Sequence, residues 1–266
     1  MDRKLTLSNI REMKANGERI ACLTAYDAGF SQLLDAAGVD IMLVGDSLGM
    51  VVQGKESTLP VTVDEMVYHC RCVSEGNSHA FILADMPFMS YPTPEQAVKN
   101  AGRLMKEGAA HGVKLEGGRE TVSVVKRLSQ AGIPVCGHLG LLPQSVNKYG
   151  GYRVQGRDPE QAKNIVEDAR VLQDAGADML VLECVPRTLT DQIMANVSIP
   201  VIGIGAGAAC DGQVLVLYDM LGITQHKLPR FVRNFMIDAN SVADAIAAYV
   251  TAVKQGHFPQ QEHGYD

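Results

Sequence analysis

The sequence of 266 residues predicts a single (β/α)₈ barrel, and three observations lead to this fold class. Eight short segments are predicted as buried strands, and most of them are continuously apolar, which is typical of parallel strands that are covered on both faces. Their starts recur at about 28 residues, close to the length of a βαβ unit. Helical patterns fill most of the intervals, and a barrel of this kind commonly spans about 250 residues. The same alternation leaves an open, doubly wound sheet as the alternative fold.

The elements follow one another along residues 1–266 as one barrel domain. The strands are predicted at 20–27, 41–47, 81–87, 112–117, 134–140, 179–185, 200–207 and 214–219. Capped or amphipathic patterns predict helices at 64–75, 93–107, 159–175 and 241–254, and an extra N-terminal helix at 6–14 precedes the first strand. The glycine-rich connection 140–158 is long enough to predict a lid. The polar segment 258–266 predicts a loose tail.

Composition narrows the class of protein. Lys and Arg number 24 against 30 Asp and Glu, so the net charge of −6 predicts no binding to nucleic acid or to an anionic membrane. The N-terminus has charges throughout and lacks the apolar region of a secretory signal. Six cysteines, several of them inside apolar runs, fit free thiols in a reducing compartment. We therefore expect a cytoplasmic protein that acts on small molecules.

Chemically able side chains stand at the carboxyl ends of six predicted strands. In a barrel these ends share one mouth, which is where active sites lie. Each residue alone is also compatible with a helix cap or a polar turn, but the repetition over six strands predicts a site. The residues concerned are Asp27, Asp46, Ser47, Asp85, Lys114, Glu116, His138 and Glu183.

Three of these residues, Asp46, Asp85 and Glu116, bring carboxylates into one cleft. Like charges in a cleft disfavour ionisation, and a divalent cation relieves the repulsion. Oxygen ligands favour a hard ion such as Mg²⁺. The alternative is that one or more of the carboxylates pairs with Lys114 or with an arginine.

Lys114 and Glu116 share one strand face because they are two residues apart. A buried Lys114 needs an anion, which is either a substrate carboxylate or Glu116 itself. Glu183 lies in an apolar run, so desolvation is expected to raise its pKa towards that of a general base. His138, between two glycines, is either an auxiliary proton-sharing group or a structural histidine.

Several segments resemble the ketopantoate hydroxymethyltransferase family, and they recur in order over nearly the whole chain. One departure is Leu142, where the family usually has Thr before Pro-Gln. The segments are LVGDSLGMVVQGKESTLPVTVDEM (43–66), ADMPF (84–88), VKLEGG (113–118), VCGHLGLLPQSVNKYGGYRVQGR (135–157), LVLECVP (180–186) and PVIGIGAGAACDGQVLVLYDMLGI (200–223).

The resemblance implies a reaction and a set of residues. A one-carbon unit passes from 5,10-methylenetetrahydrofolate, the co-substrate, to 3-methyl-2-oxobutanoate through a Mg-stabilised enolate, which gives 2-dehydropantoate in pantothenate and coenzyme A synthesis. It implies one Mg²⁺ per subunit and a homodecamer. By position in this sequence, the metal ligands are Asp46, Asp85 and Glu116; the keto acid is bound by Asp46, Ser47, Asp85 and Lys114; and the proton acceptor is Glu183, with His138 near the new hydroxyl.

Two alternatives to this function remain at the level of sequence. A Mg-dependent carbon–carbon lyase or mutase on a related barrel shares the carboxylates and the enolate chemistry, but such enzymes commonly carry a Lys-Lys-Cys-Gly loop, which this sequence lacks. A catalytically silent binding barrel predicts gaps in the set of site residues, and no expected position is missing.

Overall fold

A computed structural model describes residues 4–225 and 227–266, and its centre is a closed barrel of eight parallel strands in chain order. The barrel closes between the last and first strands, where Gly212 is in register with Ile20. The predicted fold class is therefore confirmed. The strands are β1 Ile20–Thr24, β2 Ile41–Val44, β3 Phe81–Asp85, β4 Gly112–Glu116, β5 Val135–Gly140, β6 Met179–Glu183, β7 Val201–Ile204 and β8 Gly212–Leu215.

Most strands end one to four residues earlier than predicted. The prediction of a strand at 214–219 is wrong in its second half. β8 begins at Gly212 and ends at Leu215, and residues 217–220 form a short helix. The backbone N–H of Leu217 donates to Thr24 Oγ1 at 2.9 Å, so the chain turns out of the ladder at this point.

Helices surround the barrel, and the five that were delimited from sequence are confirmed to within one residue at each end. Several N-termini carry side-chain caps. Thr62 Oγ1, for example, accepts from the N–H of Glu65, and the N–H of Thr62 donates to the Glu65 carboxylate. No helix in the described residues is long and apolar enough to cross a bilayer. The helices are α1 Leu7–Ala15, α2 Ala28–Ala36, α3 Leu48–Val51, α4 Val63–Gly76, α5 Pro94–Lys106, α6 Val122–Gln130, α7 Val146–Tyr149, α8 Pro159–Asp174, α9 Arg187–Asn196, α10 Leu217–Met220 and α11 Val242–Lys254.

The connection 140–158 has more structure than its composition suggested. It contains a 3₁₀ turn at Pro143–Ser145 and the helix α7, and the side chain of Leu141 is buried. The backbone N–H of Gln155 donates to the carbonyl of Cys184 at 2.9 Å. The connection is thus fastened near the carboxyl end of β6, and its role as a lid stays a prediction.

The segment 258–266 is packed, so the prediction of a loose tail is wrong. Phe258 is 4% exposed, and its ring contacts those of Phe235 and Tyr249. Further along, the carbonyl of Tyr265 accepts from the N–H of Arg187 at 3.0 Å. The mostly polar composition concealed the aromatic side chain of Phe258, whose burial holds the segment against the barrel.

Replacing Phe258 with alanine tests this packing. We expect Phe258→Ala to lower the free energy of unfolding by about 3–5 kcal/mol, because it leaves a cavity among aromatic rings. The exposed neighbour His257 is the control, and His257→Ala should stay within about 0.5 kcal/mol of the wild type. Urea denaturation followed by circular dichroism measures both. Equal midpoints for the two variants would contradict the packing described here.

Candidate active site

The predicted site residues converge at the carboxyl-terminal mouth of the barrel. Asp46 and Ser47 follow β2, and Asp85 ends β3. Strand register places Lys114 beside Asp85 and His138 beside Glu116. Asp27 does not join them, because its carboxylate caps α2 by accepting from the N–H of Phe30 at 2.9 Å. For Asp27 alone the helix-cap alternative is correct.

A buried ion pair joins two neighbouring strands. Lys114 Nζ lies 2.7 Å from Asp85 Oδ1, and both side chains are 5% exposed. The other oxygen of Asp85 accepts from the backbone N–H of Asp46 at 3.0 Å. The alternative of a Lys114–Glu116 pair is therefore replaced by a Lys114–Asp85 pair. Asp85 Oδ1 has the ammonium group close by but makes no well-directed hydrogen bond.

His138 continues this chain of polar groups towards β6. Its Nδ1 lies 3.3 Å from Lys114 Nζ and 3.7 Å from Glu116 Oε1. Its Nε2 lies 3.3 Å from Glu183 Oε2, outside hydrogen-bond geometry. Lys114, His138 and Glu183 thus form a continuous row across the mouth.

The backbone of Gly140 and Leu141 packs closely against the backbone carbonyl of Glu183. Its carbonyl accepts from the N–H of Leu141 at 2.9 Å. A Cβ on Gly140, which has φ +92°, would stand 2.1 Å from that carbonyl oxygen, so only glycine fits there. Cys184, the next residue after Glu183, has a φ of 48°, in the left-handed region. The backbone around Glu183 is therefore fixed from both sides.

Burial changes the protonation of the site. It raises the pKa of Glu183 to about 8. It also raises the pKa of Asp46 to about 7, with a second contribution from the charge of Asp85. Burial, helped by the charge of Lys114, lowers the pKa of His138 well below its ordinary value. A neutral histidine therefore stands beside a carboxyl group that exchanges protons near neutrality.

The pKa of Lys114 moves in the opposite direction. Burial by itself lowers it, but the surrounding carboxylates, Asp85 first, outweigh that effect and hold the pKa above its ordinary value. Lys114 is therefore a permanent cation in the centre of the site.

Sequence reasoning missed three polar side chains in the mouth. Gln144 donates through Nε2 to Asp46 Oδ2 at 2.8 Å. Tyr91 donates its hydroxyl hydrogen to Gln144 Oε1 at 2.6 Å. The hydroxyls of Tyr26 and Ser47 are 2.8 Å apart. The one available signal for Gln144 was its place in the long connection 140–158.

The carboxylates of Asp46, Asp85 and Glu116 are suitable ligands for a hard divalent cation, although they are not arranged in coordination geometry. Within residues 4–225 and 227–266, no three acidic, histidine or cysteine side chains converge in metal-binding geometry. Lys114 stands against Asp85, and Gln144 lies between Asp46 and Glu116. All three carboxylates are nevertheless buried in one network, they repel one another, and Asp85 Oδ1 lacks a hydrogen bond. These are oxygen ligands that a cation would stabilise.

A protein-family model described as ketopantoate hydroxymethyltransferase matches residues 4–261. The chain belongs to this family. The resemblance seen in the sequence is thereby confirmed, and ketopantoate hydroxymethyltransferases are transferases, as expected.

Curated relatives agree with this assignment to the ketopantoate hydroxymethyltransferases. A 3-methyl-2-oxobutanoate hydroxymethyltransferase of Nitrosococcus oceani is 61% identical over 262 residues, covering 98% of this chain and 99% of the relative. A protein of the same name from Halorhodospira halophila is 57% identical and covers 98% of this chain and 95% of the relative.

Solved structures of lower identity share the barrel fold of this chain. A 2,3-dimethylmalate lyase of the PEP mutase/isocitrate lyase superfamily has a TM-score of 0.60 at 16% identity, covering 82% of this chain and 81% of the lyase. Phosphonopyruvate hydrolase has a TM-score of 0.63 at 10% identity, covering 82% and 84%. At these identities the similarity concerns the fold alone.

Removing the central cation tests the electrostatics of the site. We expect Lys114→Met to lower the free energy of unfolding by about 3–5 kcal/mol at pH 8 in EDTA, because the buried carboxylates lose their counter-charge. In the folded variant these carboxylates have raised pKa values and bind more protons than in the unfolded chain. Stability therefore falls as pH rises, and the deficit should be smaller at pH 5. Urea denaturation at the two pH values measures it, and a deficit independent of pH would contradict the description.

Proposed function

We propose that the chain catalyses hydroxymethyl transfer from 5,10-methylenetetrahydrofolate to 3-methyl-2-oxobutanoate, giving 2-dehydropantoate for pantothenate synthesis. Family membership and the names of near full-length relatives support the reaction. One observation of this chain carries the chemistry: the carboxylate of Glu183, whose side chain is 15% exposed, lies 3.3 Å from the ring of His138. That pair stands next to a permanent cation, Lys114, which suits an anionic substrate.

The keto acid is assigned to Asp46, Ser47, Asp85 and Lys114. Ser47 is partly exposed, and its hydroxyl is oriented by Tyr26 at 2.8 Å, so it can donate to the substrate carboxylate. The ammonium group of Lys114 adds a charge-assisted contact. Asp85 keeps Lys114 pointed into the mouth through the 2.7 Å ion pair.

Asp46, Asp85 and Glu116 are the residues that would hold one Mg²⁺. When bound, such an ion supplies Lewis-acid stabilisation of the charge that grows on the 2-oxo oxygen. This role is supported by the oxygen-rich donor set described above and by the family.

Proton transfer is assigned to Glu183. The side chain takes the proton from carbon 3 of the keto acid, and the pair of electrons left behind forms an enolate. Burial raises the pKa of Glu183 to about 8, so its carboxylate is a stronger base than that of an exposed glutamate, and the ionised fraction that can accept the proton grows as the pH approaches this value. Neutral His138, whose Nε2 lies 3.3 Å from Glu183, is assigned to a hydrogen bond with the hydroxyl group of the product.

The overall reaction balances with one water. A carbon–carbon bond forms between carbon 3 and the one-carbon unit, whose bonds to the folate nitrogens break. Water supplies the hydroxyl oxygen, and tetrahydrofolate leaves. We extend the proposal to a homodecamer in the cytoplasm, as the family resemblance implies.

Proton NMR of 3-methyl-2-oxobutanoate in D₂O is the direct test. With protein and Mg²⁺ but no folate, we expect the carbon-3 proton signal to disappear, because reversible enolisation exchanges it for deuterium. Addition of methylenetetrahydrofolate should then give 2-dehydropantoate. Absence of exchange both without and with tetrahydrofolate would overturn the proposal, and cleavage of a carbon–carbon bond would favour the lyase alternative.

Glu183→Gln separates proton removal from binding. The amide has nearly the same shape but cannot accept the proton, so exchange should fall by at least about 100-fold. Binding of the keto acid, followed by calorimetry in the presence of Mg²⁺, should stay within a few-fold of the wild type. Weak binding with a normal rate of exchange would assign Glu183 to the binding site instead.

Asp85→Ala tests the part of the site that is assigned to Mg²⁺ and to the keto acid. The variant loses one carboxylate ligand and the partner of Lys114, so we expect the affinities for Mg²⁺ and keto acid to fall by about 10-fold or more. Calorimetric titration with each ligand measures both. A wild-type titration with Mg²⁺ would remove Asp85 from the proposed ligands.

A further inference from the structure

Gln144 links the connection 140–158 to two of the carboxylates in the mouth. Its side chain is 6% exposed and lies inside the 3₁₀ turn Pro143–Ser145. Nε2 donates to Asp46 Oδ2 at 2.8 Å and to the carbonyl of Met86 at 3.0 Å. The backbone N–H of the same residue donates to Glu116 Oε2 at 3.0 Å. One residue therefore holds carboxylates that belong to two different strands.

The orientation of this amide is determined by its neighbours. Both Nε2 hydrogens face acceptors, and Oε1 faces the hydroxyl of Tyr91 at 2.6 Å. The oxygen of Tyr91 in turn lies 3.3 Å from the N–H of Glu116, which donates to it. The hydroxyl also lies 3.4 Å from the carbonyl of Glu116, but its contact with Gln144 Oε1 is much shorter, so Tyr91 gives its hydrogen to Gln144. A flipped amide would place its oxygen against two acceptors, so only one orientation satisfies every group.

Gln144 donates to one oxygen of each carboxylate and makes no hydrogen bond to the other oxygen. Oδ2 of Asp46 and Oε2 of Glu116 accept from Gln144. Oδ1 of Asp46 and Oε1 of Glu116 are not among its acceptors, and Glu116 Oε1 lies 3.7 Å from His138 Nδ1. Hydrogen bonds of this type orient a carboxylate and favour its ionised form, which is the form that binds a cation.

We propose that Gln144 is a positioning residue that sets the carboxylates of Asp46 and Glu116 for a divalent cation and couples the binding of that cation to docking of the connection 140–158. The inference rests on the proposed function, since it takes those carboxylates as cation ligands. Tyr91 acts through Gln144 by fixing the orientation of the amide.

Titration with Mn²⁺ alone, followed by the EPR signal of the free ion, tests the inference without turnover. Gln144→Leu keeps the backbone N–H and nearly the volume but removes the amide. We expect its dissociation constant for Mn²⁺ to rise by about 10–100-fold, as for other residues that orient metal ligands. In a turnover assay, kcat at saturating Mg²⁺ should be largely restored while the KM for Mg²⁺ rises. A purely structural role would not give that split.

Gln155→Leu is the matched control. Gln155 is a second buried glutamine of the same connection, but its amide contacts the carbonyl of Arg153 and the side chain of Gln161. The affinity of the Gln155→Leu variant for Mn²⁺ should equal that of the wild type. Loss of affinity in this control equal to that in Gln144→Leu would attribute the effect to the connection as a whole and overturn the inference.

Two further outcomes separate this inference from the proposed function. Wild-type affinity for Mn²⁺ in folded Gln144→Leu overturns the inference alone. Failure of the wild-type chain to bind Mn²⁺ overturns the cation part of the proposed function and the inference with it. Should Gln144→Leu not fold, Tyr91→Phe removes only the hydroxyl that orients the amide. A several-fold weaker affinity then supports the inference, and an unchanged affinity overturns it.

Discussion

The buried ion pair between Lys114 and Asp85 is the interaction on which the rest of the site depends. Ionised carboxylates in a dry cleft repel one another, and their charge is tolerable only where a cation is fixed among them. Lys114 is that fixed cation, held 2.7 Å from Asp85 and 3.3 Å from His138. Burial lowers the pKa of His138, and the charge of Lys114 adds to that effect. The same charge lowers the pKa of Glu183 against the larger effect of burial. Lys114 thus influences Asp85 on one side and both His138 and Glu183 on the other.

Much of the fold and of the site could be predicted from the sequence, because a parallel barrel imposes strong rules. Continuous apolar runs mark strands covered on both sides, and the carboxyl ends of such strands must meet. Residues from Asp46 to Glu183 could therefore be assigned to one mouth before any coordinates. The limit of this reasoning lies in pairing: the two-residue spacing of Lys114 and Glu116 suggested a bond along one strand, whereas register set Lys114 beside Asp85 on the next.

What could not be predicted depends on contacts between segments that are distant in the sequence. Gln144 lies 98 residues from Asp46, and no local pattern announces their hydrogen bond. The segment 258–266 appears polar, but Phe258 is buried against rings of Phe235 and Tyr249. Asp27 gives the reverse case, since a strand-end carboxylate that matched the functional pattern serves as a helix cap. Local sequence reports a residue's chemistry, and tertiary packing decides how that chemistry is used.

The close approach of Gly140 to the Glu183 carbonyl has a consequence for anyone who wishes to redesign the substrate range of this barrel. Position 140 has no room for any side chain, and Leu141 is tied by its backbone to the same carbonyl. Diversity introduced there would move the general-base candidate itself. Libraries are better directed to the exposed face of the connection, where Tyr152 is 52% exposed and approaches Met50 across the mouth. The entrance of the site can then be varied while Gly140, Leu141 and Glu183 keep their positions.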